Sequence, residues 1–302
     1  MKAAVIDLGS NSVRLLIAEI EGRRIIPVFK DLRTTRLGEG VVKDGRLSRE
    51  SMEKTVAAVE AFKEKALGSG CQRLIAFATS AVREAENGRE FLDELKMRTG
   101  LEARLLSGKE EAGLSFRGAK EALGVEGEAL VVDIGGGSTE LALGDEEIRS
   151  LESLPMGAVR WTRQFLKSDP PKEEEIKTLQ REARKLLSGL GGNFEKVKAG
   201  EITAIGVGGT FTTLAAVSLE LEEYHWSKVH GSSLTLKAVE EMARNLCYLD
   251  LSRRKEIPGL APERADIIAA GALIVLEIMK FFELPSITVS EADLMEGILL
   301  TN

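Results

Sequence analysis

Apolar and polar positions fall into two regimes along this chain. Short, densely apolar runs end at a carboxylate or a glycine, and longer stretches carry apolar residues at helical spacing. Residues 2–7 read as a buried strand, Leu8-Gly9-Ser10-Asn11 as a turn, 12–20 as a second strand and 24–32 as a third. A polar loop with Gly38, Gly40 and Gly45 fills 33–47. Ser48 predicts the cap of a helix through Leu67, closed by Gly68. A strand over 72–78, a helix from Asn87 to near Gly100, a strand over 102–106 and a helix over 108–123 capped by Ser107 complete the first half. The order is β-β-β-α-β-α-β-α.

The second half predicts the same order with a larger helical insertion. Strands cover 128–133, 138–143 and 147–153. A helical region over 157–190 is interrupted at Asp169-Pro170-Pro171, where proline cannot continue a helix. A strand over 202–207 leads into Gly208-Gly209-Thr210, which opens a helix to 219. A polar loop over 220–233, helices over 235–248 and 262–282, a strand over 285–289 and a last helix capped by Ser290 follow.

One stretch occurs twice. Val5-Ile6-Asp7-Leu8-Gly9-Ser10-Asn11-Ser12-Val13-Arg14-Leu15 matches Val131-Val132-Asp133-Ile134-Gly135-Gly136-Gly137-Ser138-Thr139-Glu140-Leu141 in register at Val, Asp, Gly, Ser and Leu. Each copy reads as strand, tight glycine turn, strand. Such a turn gathers backbone N–H groups in a small concavity suited to an anion, and missing side chains let a phosphate approach the main chain. A dinucleotide fingerprint would need a glycine where Glu140 stands and a helix after it. A P-loop would need Gly-Lys-Ser/Thr, which occurs nowhere. Two such units are the plan of the actin, Hsp70 and sugar-kinase group: an α/β fold of two duplicated actin-like domains with the ligand in the cleft between them. The expected domains are 1–124 and 125–302, with the last helix, about 291–302, packing back on the first.

Composition narrows the function. With 302 residues, 43% hydrophobic and 29% charged, the chain has room for two ordinary cores. Two cysteines, Cys71 and Cys247, are too few for a disulfide framework and point to a reducing cytosol. Two histidines, His225 and His230, argue against zinc. The opening residues turn acidic too soon for a signal peptide, and the longest apolar run, 267–276, is too short to span a membrane and reads as a core helix. A net charge of −7 argues against nucleic acid but not against a phosphate substrate met by a local basic groove or a bound cation.

Asp7 and Asp133 each end a first strand before a glycine turn. They are either turn-capping carboxylates or a pair able to hold Mg²⁺ (or Mn²⁺) directly or through water. Gly208-Gly209-Thr210 offers a helix N-terminus to an anion, or simply tight packing. Ser107-Gly108-Lys109-Glu110 forms a capping box, and Glu111 sits beside it, where a glutamate at a cleft edge could orient and deprotonate water. Arg83, after a strand end, could fork onto phosphate oxygens or pair with Glu84 or Glu86. Lys30, Arg33 and Arg36 form a sparse basic run, read as a solvated loop or a polyanion guide. Trp161 and Phe165, at helical spacing, read as core.

The combination of Asp7-Leu8-Gly9-Ser10-Asn11-Ser12, Ser107-Gly108-Lys109-Glu110-Glu111-Ala112 and the glycine run after Asp133, with Gly208-Gly209-Thr210 and Ser290-Glu291-Ala292-Asp293-Leu294-Met295-Glu296-Gly297, resembles the exopolyphosphatase / guanosine pentaphosphate phosphohydrolase family. The resemblance spans essentially the whole chain. It implies a cytoplasmic homodimer that hydrolyses a terminal phosphoanhydride with a divalent metal. It implies Glu111 as the water-activating base and Asp7 and Asp133 as Mg²⁺ ligands, with Glu140 supporting metal or water. Gly9, Ser10, Asn11, Arg83, Gly136, Gly137, Ser138, Gly208, Gly209 and Thr210 would bind phosphate. Longer members add a helical, HD-phosphohydrolase-like region that extends the polyphosphate channel; this chain resembles the catalytic pair, so short polyphosphates are the expected substrate and guanosine pentaphosphate the alternative. A small-molecule kinase of the same fold, or a non-catalytic alarmone or polyphosphate sensor, would be the rival classes.

Overall fold

Two mixed sheets carry the chain, each led by a hairpin. In the computed structural model, which describes residues 1–22, 24–197 and 202–301, β1 (Lys2–Leu8) runs antiparallel to β2 (Ser12–Glu21), and β2 to β3 (Arg24–Thr34). On its other side β1 is parallel to β4 (Arg73–Ala78), and β4 to β5 (Ala103–Leu105), giving the order β3-β2-β1-β4-β5. The second sheet holds β6 (Ala129–Ile134), β7 (Thr139–Gly144), β8 (Ile148–Leu154), β9 (Thr203–Val207), β10 (Ser233–Thr235) and β11 (Ser286–Val289). Its order, β8-β7-β6-β9-β11-β10, repeats the first and adds one edge strand. The two duplicated α/β domains are therefore actin-like in plan. Asn302, the last residue of the second expected domain, lies outside the described residues.

The strand patterns explain these positions. β6 is buried at every residue, and β1 at every residue but Lys2, because each is a central strand with a hydrophobic cluster packed on both of its faces. β3 is a half-exposed edge, where Pro27 is tolerated opposite Ala18 at a register shift in β2. Caps follow the sequence. Ser48 accepts from Ser51 N (3.1 Å) to start Arg49–Gly68, and Ser107 and Glu110 exchange hydrogen bonds as a capping box at the head of Gly108–Leu123.

Some elements differ from the pattern. The polar loop 33–47 contains a short helix, Glu39–Asp44, hidden by the glycines that enter and close it. The loop 220–233 contains Trp226–Val229 and ends in β10. The helix expected over 262–282 splits into a 3₁₀ turn, Pro262–Arg264, and the buried helix Ile268–Phe281. Among the described residues no helix is long and apolar enough to cross a membrane.

The closing helices of the two halves are exchanged. Gly108–Leu123 lays Ala112, Phe116 and Ala119 on Ala129, Val131, Ala142 and Ile205 of the second sheet. Leu294–Leu300 lays Leu294, Met295, Ile298 and Leu299 on Ala3, Val5, Leu16 and Phe77 of the first. The helices cross where a Cβ on Gly118 would lie 2.0 Å from Asp293 O, and one on Gly297 2.0 Å from Leu114 O. Only glycine allows that approach. The exchange carries Glu111 to the second sheet and Asp293 to the first hairpin.

Candidate active site

The two hairpin turns are built alike. Gly9 N donates to Ser12 O (3.1 Å), and Gly135 N to Ser138 O (3.0 Å), at matching positions of the repeat. They meet at the base of a cleft of about 900 Å³. A Cβ on Gly136 would lie 2.9 Å from Ser10 Cβ, and one on Gly137 2.5 Å from Ser80 Oγ. Ser10 Oγ and Ser80 Oγ share a hydrogen bond of 2.9 Å.

The second turn is aimed by the helix after β8. Ala158 N donates to Gly135 O (3.0 Å), Arg160 N to Gly136 O (2.9 Å) and Arg160 Nε to Gly137 O (2.7 Å). A trans peptide points its N–H opposite to its C=O. With three successive carbonyls turned toward helix Ala158–Phe165, the N–H groups of Gly136, Gly137 and Ser138 turn away from it, toward the first hairpin. Successive N–H groups turned to one side of a turn are the geometry from which an anion nest is built.

The charge across the two hairpins is inverted. Asp7 faces Arg14 across β1–β2, whereas Asp133 faces Glu140 across β6–β7. Arg14 forks onto Asp7 Oδ2 through Nε (2.8 Å) and Nη2 (2.6 Å), and its Nη1 donates to Asp293. Asp7 Oδ1 and Asn11 Nδ2 are buried without a hydrogen-bond partner, and both residues line the cleft. Asp133 accepts from Ser115 Oγ (2.6 Å) and Glu140 from Ser153 Oγ (2.7 Å).

Glu111 joins this group from the first turn of its helix. Gly108 permits the approach, since a Cβ there would sit 2.4 Å from Ser153 Oγ. Arg83 donates to Glu111 Oε1 and to Leu106 O (2.7 Å). Burial pushes the Glu111 carboxyl up to about 9, with repulsion from Glu140 adding and Arg83 opposing. Burial raises Glu140 to about 7, helped by Asp133, and Asp133 to about 6, helped by Asp293. Three buried carboxyls with raised pKa values in one cleft mark a site short of positive charge.

The third rim of the cleft is the N-terminus of helix Gly209–Ser218. Gly208 has φ +85°, and a Cβ there would lie 2.6 Å from Asp133 Oδ1. Arg264 lies against Gly209, where a Cβ would meet its guanidinium at 2.1 Å. Burial lowers the Arg264 pKa, and the charge of Arg14 adds to that. A cation held at the positive end of a helix is poised for an anion.

The expected site residues thus converge, with three differences. Asp7, Gly9, Ser10, Asn11, Glu111, Asp133, Gly136, Ser138, Glu140, Gly208, Gly209 and Thr210 all line the cleft. Gly137 instead packs under Ser80. Arg83 is not among the residues lining the cleft and bonds to Glu111 and Leu106 O rather than to Glu84 or Glu86. Asp7, Asp133 and Glu140 form no ready cage, since Asp7 is clamped by Arg14; among the described residues no three His, Cys, Asp or Glu side chains are gathered closely enough to hold a metal. Of the basic run, Lys30 lines the cleft and pairs with Glu296 (3.0 Å), Arg36 pairs with Asp266 (2.7 Å), and Arg33 stacks on Phe62. Trp161 is core and packs edge-on against Phe165.

Three site residues escaped the sequence reading. Arg14 had a signal: it stands in the repeat where Glu140 stands. Asp293 lay inside a quoted motif without a role. Arg264 had none, because a loop after Pro262 carries it back to the cleft.

Residues 16–302 match the Ppx/GppA phosphatase family. The chain belongs to this family. Exopolyphosphatase 2 of Mycobacterium tuberculosis is 34% identical over 314 residues, covering 99% of this chain and 98% of that protein. A crystal structure of the Aquifex aeolicus member of the Ppx/GppA family superposes with a TM-score of 0.83 at 36% identity, over 100% of this chain and 97% of the other. An exopolyphosphatase from Cytophaga hutchinsonii superposes at 0.90 with 28% identity, over 100% and 97%. The twin hairpins and the exchanged helices described above therefore belong to a phosphatase fold.

Proposed function

We propose that this protein hydrolyses the terminal phosphoanhydride bond of inorganic polyphosphate, releasing orthophosphate, with short chains as substrate. One observation carries the reading: a buried glutamate, Glu111, is held by Arg83 in the same cleft as two apposed glycine turns. Hydrolysis needs a base for water beside donors for the phosphoryl oxygens, and little covalent chemistry besides. The similarity to proteins named exopolyphosphatase over nearly their full length supports the substrate.

In this reading Gly136, Gly137 and Ser138 offer N–H groups to the terminal phosphoryl oxygens, and Gly9, Ser10 and Asn11 grip from the other side. Arg264 and the head of helix Gly209–Ser218 neutralise the next phosphate. Glu111 takes the proton of the attacking water, and Arg83 holds its carboxylate in place. The donor set fits a divalent cation of the open kind, Mg²⁺ or Mn²⁺. Because no three acidic side chains gather around one point among the described residues, Asp133 or Glu140 would hold it singly, and substrate oxygens and water would fill most of its shell. When bound, it would supply charge neutralisation that lowers the raised carboxyls and polarises the phosphoryl group. The reading includes a cytoplasmic homodimer, as the family resemblance implies.

Guanosine pentaphosphate is the second reading. The cleft runs on past the turns to Tyr224, Trp226, Pro258 and Pro262, apolar surface that a polyphosphate chain does not need and a base would use. A panel of polyphosphates of defined length, guanosine pentaphosphate and ATP, assayed for orthophosphate with Mg²⁺ and with Mn²⁺, tests both. Turnover of short polyphosphates above the others is expected. No orthophosphate from any member of the panel, with ATP consumed only when an acceptor is present, would contradict the hydrolase reading in favour of a kinase.

A further inference from the structure

One guanidinium outside the cleft touches both halves of the phosphate site. Arg160 donates through Nε to Gly137 O (2.7 Å), while its own N–H holds Gly136 O (2.9 Å). Its Nη2 pairs with Glu84, the last residue of helix Ser80–Glu84 in the first domain. That five-residue helix also carries Ser80, bonded to Ser10, and Arg83, bonded to Glu111. Arg160 does not line the cleft, so it acts on substrate only through other groups.

We propose that Arg160 is a positioning residue for the terminal phosphoryl group: through Gly137 O it aims the turn amides, and through Glu84 it ties that aim to the helix carrying the partner of Glu111. The inference rests on the phosphatase reading of the site. The pair is 20% and 34% exposed, and an exposed ion pair adds little stability. Its effect is geometric. Phosphoryl transfer depends on attacking oxygen and phosphorus being held in line, and small displacements of the groups that hold them cost rate steeply. The turn belongs to one domain and Glu111 is steadied from the other, so some contact must fix the two in register. Arg160 supplies one such contact, since its single side chain bonds to both. Its neighbour Arg163, on the same helix, pairs with Glu39 of the first domain, and among the described residues it makes no bond to the turn, which makes it a control for a merely adhesive interdomain contact.

The test compares wild type with Arg160→Met, Arg160→Lys, Glu84→Gln, Arg163→Met and the double variant Arg160→Met/Glu84→Gln. It reads kcat, KM, Tm and calorimetric affinity for tripolyphosphate. Arg160→Met is expected to lose about tenfold or more in kcat with Tm close to wild type, and Arg160→Lys to recover part of that. The double variant should be no worse than Arg160→Met, and Arg163→Met should resemble wild type. Unchanged kcat and KM in Arg160→Met, an equal loss in Arg163→Met, or multiplying losses in the double variant would each overturn the proposal. Affinity separates the two readings. Wild type that binds tripolyphosphate tightly without hydrolysing it, with Arg160→Met binding about fivefold or more weakly, sinks the hydrolase reading and keeps the positioning. Equal kcat together with equal affinity in wild type and Arg160→Met sinks the positioning even where wild type hydrolyses. No binding by wild type sinks both.

Discussion

At the scale of single residues, the cleft is a meeting of backbone amides with buried carboxyls, of which Asp133 and Glu140 are met by serine hydroxyls and Asp7 and Glu111 by guanidiniums. Gly208 shows how tightly they are fitted. Its φ of +85° suits glycine, and any Cβ would press on Asp133 Oδ1 at 2.6 Å and Ile134 O at 3.0 Å. Gly208→Ala is expected to cost roughly 1–3 kcal/mol in folding and to depress phosphate release further, because the displaced group is Asp133; urea unfolding and an orthophosphate assay read the two effects. The glycines were legible in the sequence, since a tight turn demands glycine locally and the repeat displays it twice. Arg83 was not. Its partner Glu111 is 28 residues away on a helix whose placement depends on the exchange, so the sequence offered phosphate oxygens or the nearby Glu84 and Glu86 but not Glu111. Arg264 was invisible for the same reason, being a loop residue whose role comes from a helix end more than fifty positions earlier in the chain.

At the scale of elements, the decisive feature is the crossing of Gly108–Leu123 and Leu294–Leu300. The hydrophobic pattern predicted both helices and the duplicated strand order, because periodicity and caps are local signals. It could not say that the helix ending the first half packs on the second sheet. Ala112, Phe116 and Ala119 would suit either sheet by composition, and only the fit of Gly118 against Asp293 O and of Gly297 against Leu114 O selects this arrangement. Gly118→Ala or Gly297→Ala is therefore expected to destabilise by about 1–3 kcal/mol through overpacking, read as a fall in Tm of roughly 3–10 °C. Gly68→Ala, where a Cβ meets nothing within 4 Å, should be neutral or slightly stabilising. Equal Tm values for all three variants would show that the crossing tolerates separation. Because the same two helices carry Glu111 and Asp293, loosening the crossing should also lower activity.

At the scale of the whole molecule, two similar cores enclose a cleft with an excess of buried negative charge. Glu111, Glu140 and Asp133 have folded pKa values of about 9, 7 and 6, above their ordinary 4.5, 4.5 and 3.8. A carboxyl whose pKa is raised on folding binds its proton more tightly in the native state. Its contribution is therefore full below the unfolded pKa and is lost as pH rises through the folded one. Metal-free protein should thus lose stability between pH 4 and pH 9 in a way that Mg²⁺ or Mn²⁺ offsets, and Tm against pH with and without the cation measures it. A Tm that rises across that window without metal would contradict the charge reading.

The central claim is that Glu111 activates the attacking water while the turns hold the phosphates. Orthophosphate release from tripolyphosphate by wild type and by Glu111→Gln, each with Mg²⁺ and each with its affinity for tripolyphosphate measured, tests it most directly. Glu111→Gln should lower kcat by about 10²–10⁴-fold with affinity nearly unchanged. Equal rates for the two proteins would contradict it.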